Sequence, residues 1–207
     1  MTAERLEICR HSEKVIETGC MREYNCRKRM EQSKNRVWKR CLCKGETIMI
    51  LYHGSNVEVK EPKIFPQLRA LDFGAGFYLT SSRQQAQKWA RNVCNRRKIG
   101  IPILNIYDID EQDFHSLDIL QFDMADGAWL DFVVMNRKSE YSGKKYDIVI
   151  GPVANDTTLR VIDDYMSDVY TKEESIKRLL PQKLTDQYAF LNEEALSMLA
   201  FQGSELI

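Results

Sequence analysis

Leu51-Tyr52-His53-Gly54-Ser55 and Phe73-Gly74-Ala75-Gly76-Phe77-Tyr78-Leu79 are the two stretches on which the fold of this chain turns. Thr47-Ile48-Met49-Ile50-Leu51-Tyr52 is a short apolar run rich in β-formers, so it reads as a buried strand that delivers His53 into a turn at Gly54-Ser55. Phe77-Tyr78-Leu79-Thr80 is a second short strand, entered through Gly74-Ala75-Gly76, where glycines permit a tight turn and close backbone approach. Ser81 or Ser82 then caps a helix through Gln84, Ala86, Trp89 and Ala90. Between the two strands, Pro62 and Pro66 keep residues 56–72 irregular.

Downstream the same reading gives a strand over residues 101–109. Trp129, Phe132 and Val133 sit at helical spacing within residues 128–135. Tyr146-Asp147-Ile148-Val149-Ile150-Gly151-Pro152 is a buried strand ended by turn residues. Asp156 caps a helix over residues 157–169, and Thr171-Lys172-Glu173-Glu174 is a capping box whose helix stops at Pro181. Tyr188-Ala189-Phe190-Leu191 is the last clear strand, and Asn192 caps a helix over residues 193–199. Irregular alternation of strands and helices, with no Gly-x-Gly-x-x-Gly opening a helix, argues against a Rossmann domain.

The 207 residues suit one catalytic-size domain plus an extension. An apolar share of 43% and a charged share of 29% are those of a globular protein rather than a disordered one. No run approaches a membrane span and no apolar leader follows Met1, so the expectation is a cytoplasmic protein without a membrane partner. The formal net charge of zero conceals two kinds of sequence. Residues 1–48 carry 12 Lys/Arg against 7 Asp/Glu, a net of +5, so the remainder is 18 against 23, a net of −5. Cys9, Cys20, Cys26, Cys41 and Cys43 also fall in the first piece, leaving only Cys94 beyond it. Their spacings do not form paired zinc knuckles, so no metal is expected. Arg27-Lys28-Arg29 reads as a solvated charge cluster. Residues 1–48 are therefore taken as a basic, Cys-rich extension, and residues 49–207 as the domain.

Taken alone, His53 is more often a packing or capping residue than a site residue, and periodicity alone would put Tyr78 and Trp89 in a core. In combination, the strings through His53 and Tyr78, followed at eleven residues by Trp89, resemble the ADP-ribosyltransferases of the diphtheria-toxin and poly(ADP-ribose) polymerase type. With Thr80-Ser81-Ser82 and residues 146–152 they are closest to an uncharacterised, mainly bacterial branch, and the resemblance spans residues 49–201. It implies an α/β split β-sandwich with an NAD cleft and flanking helices. It also implies that His53 binds ribose hydroxyls of NAD, the Gly54 backbone holds the nicotinamide amide, and Ser55 supports the adenosine-side ribose. Gly76 lines the approach, Tyr78 and Trp89 stack on nicotinamide, and Arg69 reaches a phosphate. Ala86 falls where relatives often carry a hydroxyl.

The departure is Gln187, in Asp186-Gln187-Tyr188-Ala189-Phe190, where many relatives carry a catalytic glutamate. A glutamine keeps the hydrogen bonds but loses the negative charge and the base. Asp186 should face the opposite side of its strand, and Glu193 and Glu194 open a helix. The function implied is mono-ADP-ribosyl transfer from NAD to a macromolecular acceptor, a protein sooner than a nucleic acid, by a toxin or effector with an antitoxin or other partner protein by analogy. Its rival is a catalytically inactive NAD or ADP-ribose-binding module. RNA phosphate transfer ranks last, because it calls for more basic residues around the cleft than this acidic domain suggests.

Overall fold

A computed structural model of the chain describes residues 47–65, 71–154, 156–182 and 184–207. The chain divides into two units, Met1–Lys44 and Gly45–Ile207, and every described residue belongs to the second. Arg69, Pro66 and the five N-terminal cysteines lie outside the described residues.

The architecture is mixed α and β, with two sheets and several helices. The first sheet has the order β1-β3-β7, from β1 (Ile48–Ser55), β3 (Ile103–Asp110) and β7 (Ala200–Leu206), all antiparallel. The second has the order β2-β6-β5-β4, from β2 (Phe77–Leu79), β6 (Asp186–Phe190), β5 (Ile148–Pro152) and β4 (Ile119–Gln121). Its β4-β5 pair is parallel and the others are antiparallel. An isolated bridge joins the sheets: Tyr52 N–H donates to Thr80 C=O at 2.9 Å, and Thr80 N–H to Tyr52 C=O at 3.0 Å.

The helices are α1 (Arg83–Arg97), α2 (Gly127–Arg137), α3 (Asp156–Met166), α4 (Lys172–Leu179) and the short α5 (Glu193–Ser197), with a 3-10 helix over Glu111–Ser116. Four begin on side-chain caps: Ser82, Asp126, Thr171 and Asn192 each accept from backbone N–H groups of the first turn. Asp156 is the first residue of α3 rather than its cap, and that helix stops at Met166, short of the expected residue 169. Beyond it the chain turns through Asp168 at φ 59°, a left-handed conformation that ends helical hydrogen bonding. The 3-10 helix, β4 and β7 have no counterpart in the sequence reading.

Alternation along β6 explains why its sheet is covered on both faces. Tyr188 and Phe190 join Leu51, Phe77, Tyr107 and Ile148 in a core between the sheets. Ala189 faces the other way and joins Trp129, Val133, Val149, Ile162 and Leu179 under α2, α3 and α4. Each fully buried large side chain contributes about 1.5–3 kcal/mol, so both cores hold the second sheet in place.

Candidate functional site

The site grows from the bridge. Tyr52 spends both backbone groups on Thr80, which makes Tyr52 and Ile106 a non-hydrogen-bonded pair in the β1-β3 ladder. Alternation then turns the N–H and C=O of Gly54, two residues on, toward the same free edge of β1. His53 lies between these positions. Its Nδ1 donates to Tyr78 C=O at 2.7 Å, and its ring lies 4.4 Å from that of Phe77, tilted by 30°.

A carbonyl only accepts, so Nδ1 carries the hydrogen and Nε2 is left as an acceptor. Burial holds the His53 pKa below its ordinary value of 6.5; the Tyr78 carbonyl opposes this, and the Arg97 charge adds to it. The imidazole at pH 7 is therefore a neutral hydrogen-bond acceptor.

Gly54 owes its lack of a side chain to α1. A Cβ there would stand inside the van der Waals shell of Ala86 O and 2.8 Å from Ala90 N. Ala86 and Ala90, both buried, are the small residues that let the helix lie on the strand. Gly76 has a similar reason, since its Cβ would come 2.7 Å from both Leu191 Cδ2 and Phe190 O. Ser55 is buried, with its hydroxyl 3.4 Å from Val57 N.

The Tyr78 hydroxyl ties down the turn before it, donating to Gly74 C=O at 2.6 Å and accepting from Phe73 N–H at 3.1 Å. Burial pushes its pKa far up, so it stays a neutral phenol. Trp89, by contrast, is 45% exposed and therefore no core residue; the Arg96 guanidinium sits 5.5 Å from its ring centroid.

Gln187 pairs with Gly151 in β5 and is 8% exposed. Antiparallel pairing of Tyr78 with Ala189 puts Gln187, two residues along β6, on the face of the sheet that Tyr78 occupies. Among the described residues, Gln187 Nε2 is the one buried side-chain nitrogen or oxygen without a hydrogen-bond partner. Exchanging the amide's oxygen and nitrogen would only replace an orphan donor by an orphan acceptor. Asp186 does not share this state. Its carboxylate accepts from Thr80 Oγ1 and Ser81 N, both at 2.9 Å, and from the Ser81 hydroxyl.

A family model described as "Protein of unknown function (DUF3990)" matches residues 49–201. The chain belongs to the DUF3990 family. No curated protein and no solved structure matches it.

Two residues of this DUF3990 domain that the sequence reading passed over support the site from beneath. Asn105, fully buried and paired with His53 across the ladder, accepts from Val59 N–H at 2.8 Å and donates to Val57 C=O at 3.3 Å. Asn56 donates to Ile99 C=O at 3.1 Å and accepts from Arg97 Nη1 at 3.0 Å. A polar residue inside the apolar run Ile103-Leu104-Asn105-Ile106 was a visible signal for the first; nothing local marked the second.

A cavity of about 710 Å³ lies elsewhere, lined by Thr47, Met49, Glu111, His115 and Tyr188 among others. None of the sequence-predicted site residues lines it. Among the described residues no group of His, Cys, Asp and Glu could hold a metal ion, and no helix is long and apolar enough to cross a membrane.

Proposed function

We propose that this domain is an NAD-dependent mono-ADP-ribosyltransferase acting on a macromolecular acceptor, in an ADP-ribosyltransferase-like split sandwich. The observation that carries the reading is complementary hydrogen-bonding capacity. His53 Nε2 is an acceptor, Gln187 Nε2 is an unpartnered buried donor, and the Gly54 peptide groups face the free edge of β1. A ribose hydroxyl can donate to the first, while a carboxamide matches one N–H and one C=O of the strand; Gln187 lies on the opposite, helix-covered face of its sheet, and its part rests on the motif resemblance. The motif resemblance supplies the rest, with Tyr78 and Trp89 as the aromatic pair for nicotinamide and Ser55, Gly76 and Arg69 along the remainder of the dinucleotide.

In this reaction the bond between the ribose C1′ and the nicotinamide nitrogen breaks, nicotinamide leaves, and an acceptor nucleophile bonds to C1′ as it loses a proton. The chain's own residues orient the ribose through His53 and hold the departing amide through Gly54. A neutral glutamine offers no carboxylate for developing positive charge, which favours transfer of single units to reactive acceptors over chain elongation.

A second reading, a non-catalytic NAD or ADP-ribose-binding module, is favoured by the same Gln187, because the adjacent Asp186 is engaged by Thr80 and Ser81. One assay separates the two. The protein is incubated with labelled NAD and cell lysate, and nicotinamide release and label on macromolecules are followed. Release with labelled product supports the transferase; NAD binding without release supports the module. Absence of NAD binding at millimolar concentration removes both.

A further inference from the structure

The cavity noted above opens at the other end of β1 from His53. Its wall residue Met49 lies four strand positions from His53, about 13 Å at 3.3 Å per residue, with the fully buried Leu51 between them. The volume of about 710 Å³ falls within the roughly 300–1,000 Å³ of small-ligand sites. Met49, Phe114, Ile119 and Ile150, from β1, the 3-10 helix, β4 and β5, form its apolar walls. All four pack on the core between the sheets yet are only partly buried, so that core is left open here.

Two polar side chains face this apolar space. Tyr188, in the middle of β6, lines it and is 9% exposed, and among the described residues its hydroxyl has no hydrogen-bond partner. A phenylalanine would fill the same core position without an unpaired hydroxyl. Burial pushes the Tyr188 pKa up, and the charges of Asp186 and Glu111 act in the same direction. The phenol is therefore neutral at pH 7 and can both donate and accept. Asp186 is engaged by Thr80 and Ser81, whereas the Glu111 carboxylate lines the cavity with no cation beside it among the described residues. Residues 108–118 contribute five carboxylates and no Lys or Arg; Lys144 pairs with one of them, Asp118. Among the described residues no Lys or Arg lines the cavity.

We propose that this cavity binds a small organic amine, an ammonium group carried on an aromatic body. The ammonium donates to the Glu111 carboxylate and to the Tyr188 oxygen. The ring fills the gap among Met49, Phe114, Ile119 and Ile150, where the Phe114 ring and the Met49 thioether both favour an aromatic neighbour. An anionic ligand would meet the Glu111 charge with nothing to oppose it, and a hydrocarbon would leave the Tyr188 hydroxyl unpaired. The site shares no residue with the NAD reading and does not rest on it.

The test is an amide NMR titration of the full chain at pH 8 with tryptamine, its neutral analogue tryptophol and the anion indole-3-propionate. Tryptamine should bind with a Kd of about 1 mM, as suits a probe of this size. Its affinity should exceed that of tryptophol about fivefold or more, with indole-3-propionate weaker than either. Shifts should fall on residues 111–115, Ile119 and Tyr188, and not on His53 or Gly54. Glu111→Gln should weaken tryptamine about five- to tenfold and leave tryptophol unchanged. Tyr188→Phe should weaken both about two- to tenfold while the ligand-free melting temperature is kept or raised. NAD titrated in the same way should move His53 and Gly54 whether or not tryptamine is present, so the two readings fail separately. The proposal is overturned by lack of tryptamine binding at about ten times the expected Kd, or by tryptamine binding no tighter than tryptophol. Shifts confined to residues outside the cavity, or a folded Glu111→Gln protein that keeps the preference for the amine, overturn it equally.

Discussion

Replacing Gln187 with Met should raise the melting temperature of the ligand-free protein while lowering its affinity for NAD. Met has nearly the volume of Gln and no amide, so the substitution removes the buried nitrogen that lacks a partner without opening a cavity. An unsatisfied buried donor costs about 1–3 kcal/mol. For a unit of this size, Gly45–Ile207, each kcal/mol moves the midpoint by about 2–4 °C, so the gain should be about 2–12 °C. With NAD at a hundred times its dissociation constant, the parent gains about 2.7 kcal/mol from ligand binding. A variant bound tenfold more weakly gains only about 1.4 kcal/mol at the same concentration. Melts with and without NAD should therefore differ in the size of the response: the variant leads without ligand, and its lead shrinks by about 1.3 kcal/mol with it. Differential scanning calorimetry reads both. A variant that melts below the parent without ligand would refute the reasoning, because the amide would then have a partner worth more than its desolvation.

Gly54→Ala should destabilise the domain by about 3 kcal/mol or more, since the added methyl meets α1 backbone rather than a movable side chain; urea midpoints measure it. The lowered pKa of His53 means that below pH 6.5 the unfolded chain binds a proton that the folded one resists. Stability should accordingly fall as the pH drops through 6.5, and His53→Gln should flatten that limb in pH-dependent melts. Asp186→Ala releases Thr80 and Ser81 ahead of α1 and should cost on the order of 1 kcal/mol, with amide exchange rising first in the N-terminal turn of the helix.

The elements with strong local signals were legible before the structure. The helix caps at Ser82, Thr171 and Asn192 follow from residue type and spacing, and the apolar runs at β1 and β5 announce themselves. β7 does not, because Phe201-Gln202-Gly203-Ser204 has little β-propensity and Gly203 adopts φ 150°. It is a strand because β3 offers it an unpaired edge, with a register shift at Ile106/Tyr107, and tertiary pairing overrides local preference. The 3-10 helix is too short to show a period, and β4 has only three residues. At the site, the sequence named His53, Tyr78 and Gln187, but the reason for Gly54 needed α1 in place.

The order of strands in the first sheet has a consequence for how the protein is made. β3 is its middle strand, flanked by residues 48–55 on one side and 200–206 on the other. β2, which anchors His53, likewise pairs with a strand more than a hundred residues downstream. Pairings so distant in sequence form slowly, and they cannot begin until the ribosome has released the later partner. A nascent chain that has emerged as far as α4 holds His53 and Tyr78 but lacks β6 and β7. Assembly of the candidate site is thus deferred to the end of this segment's synthesis, which makes residues 186–206 the step that commits the domain to its folded form.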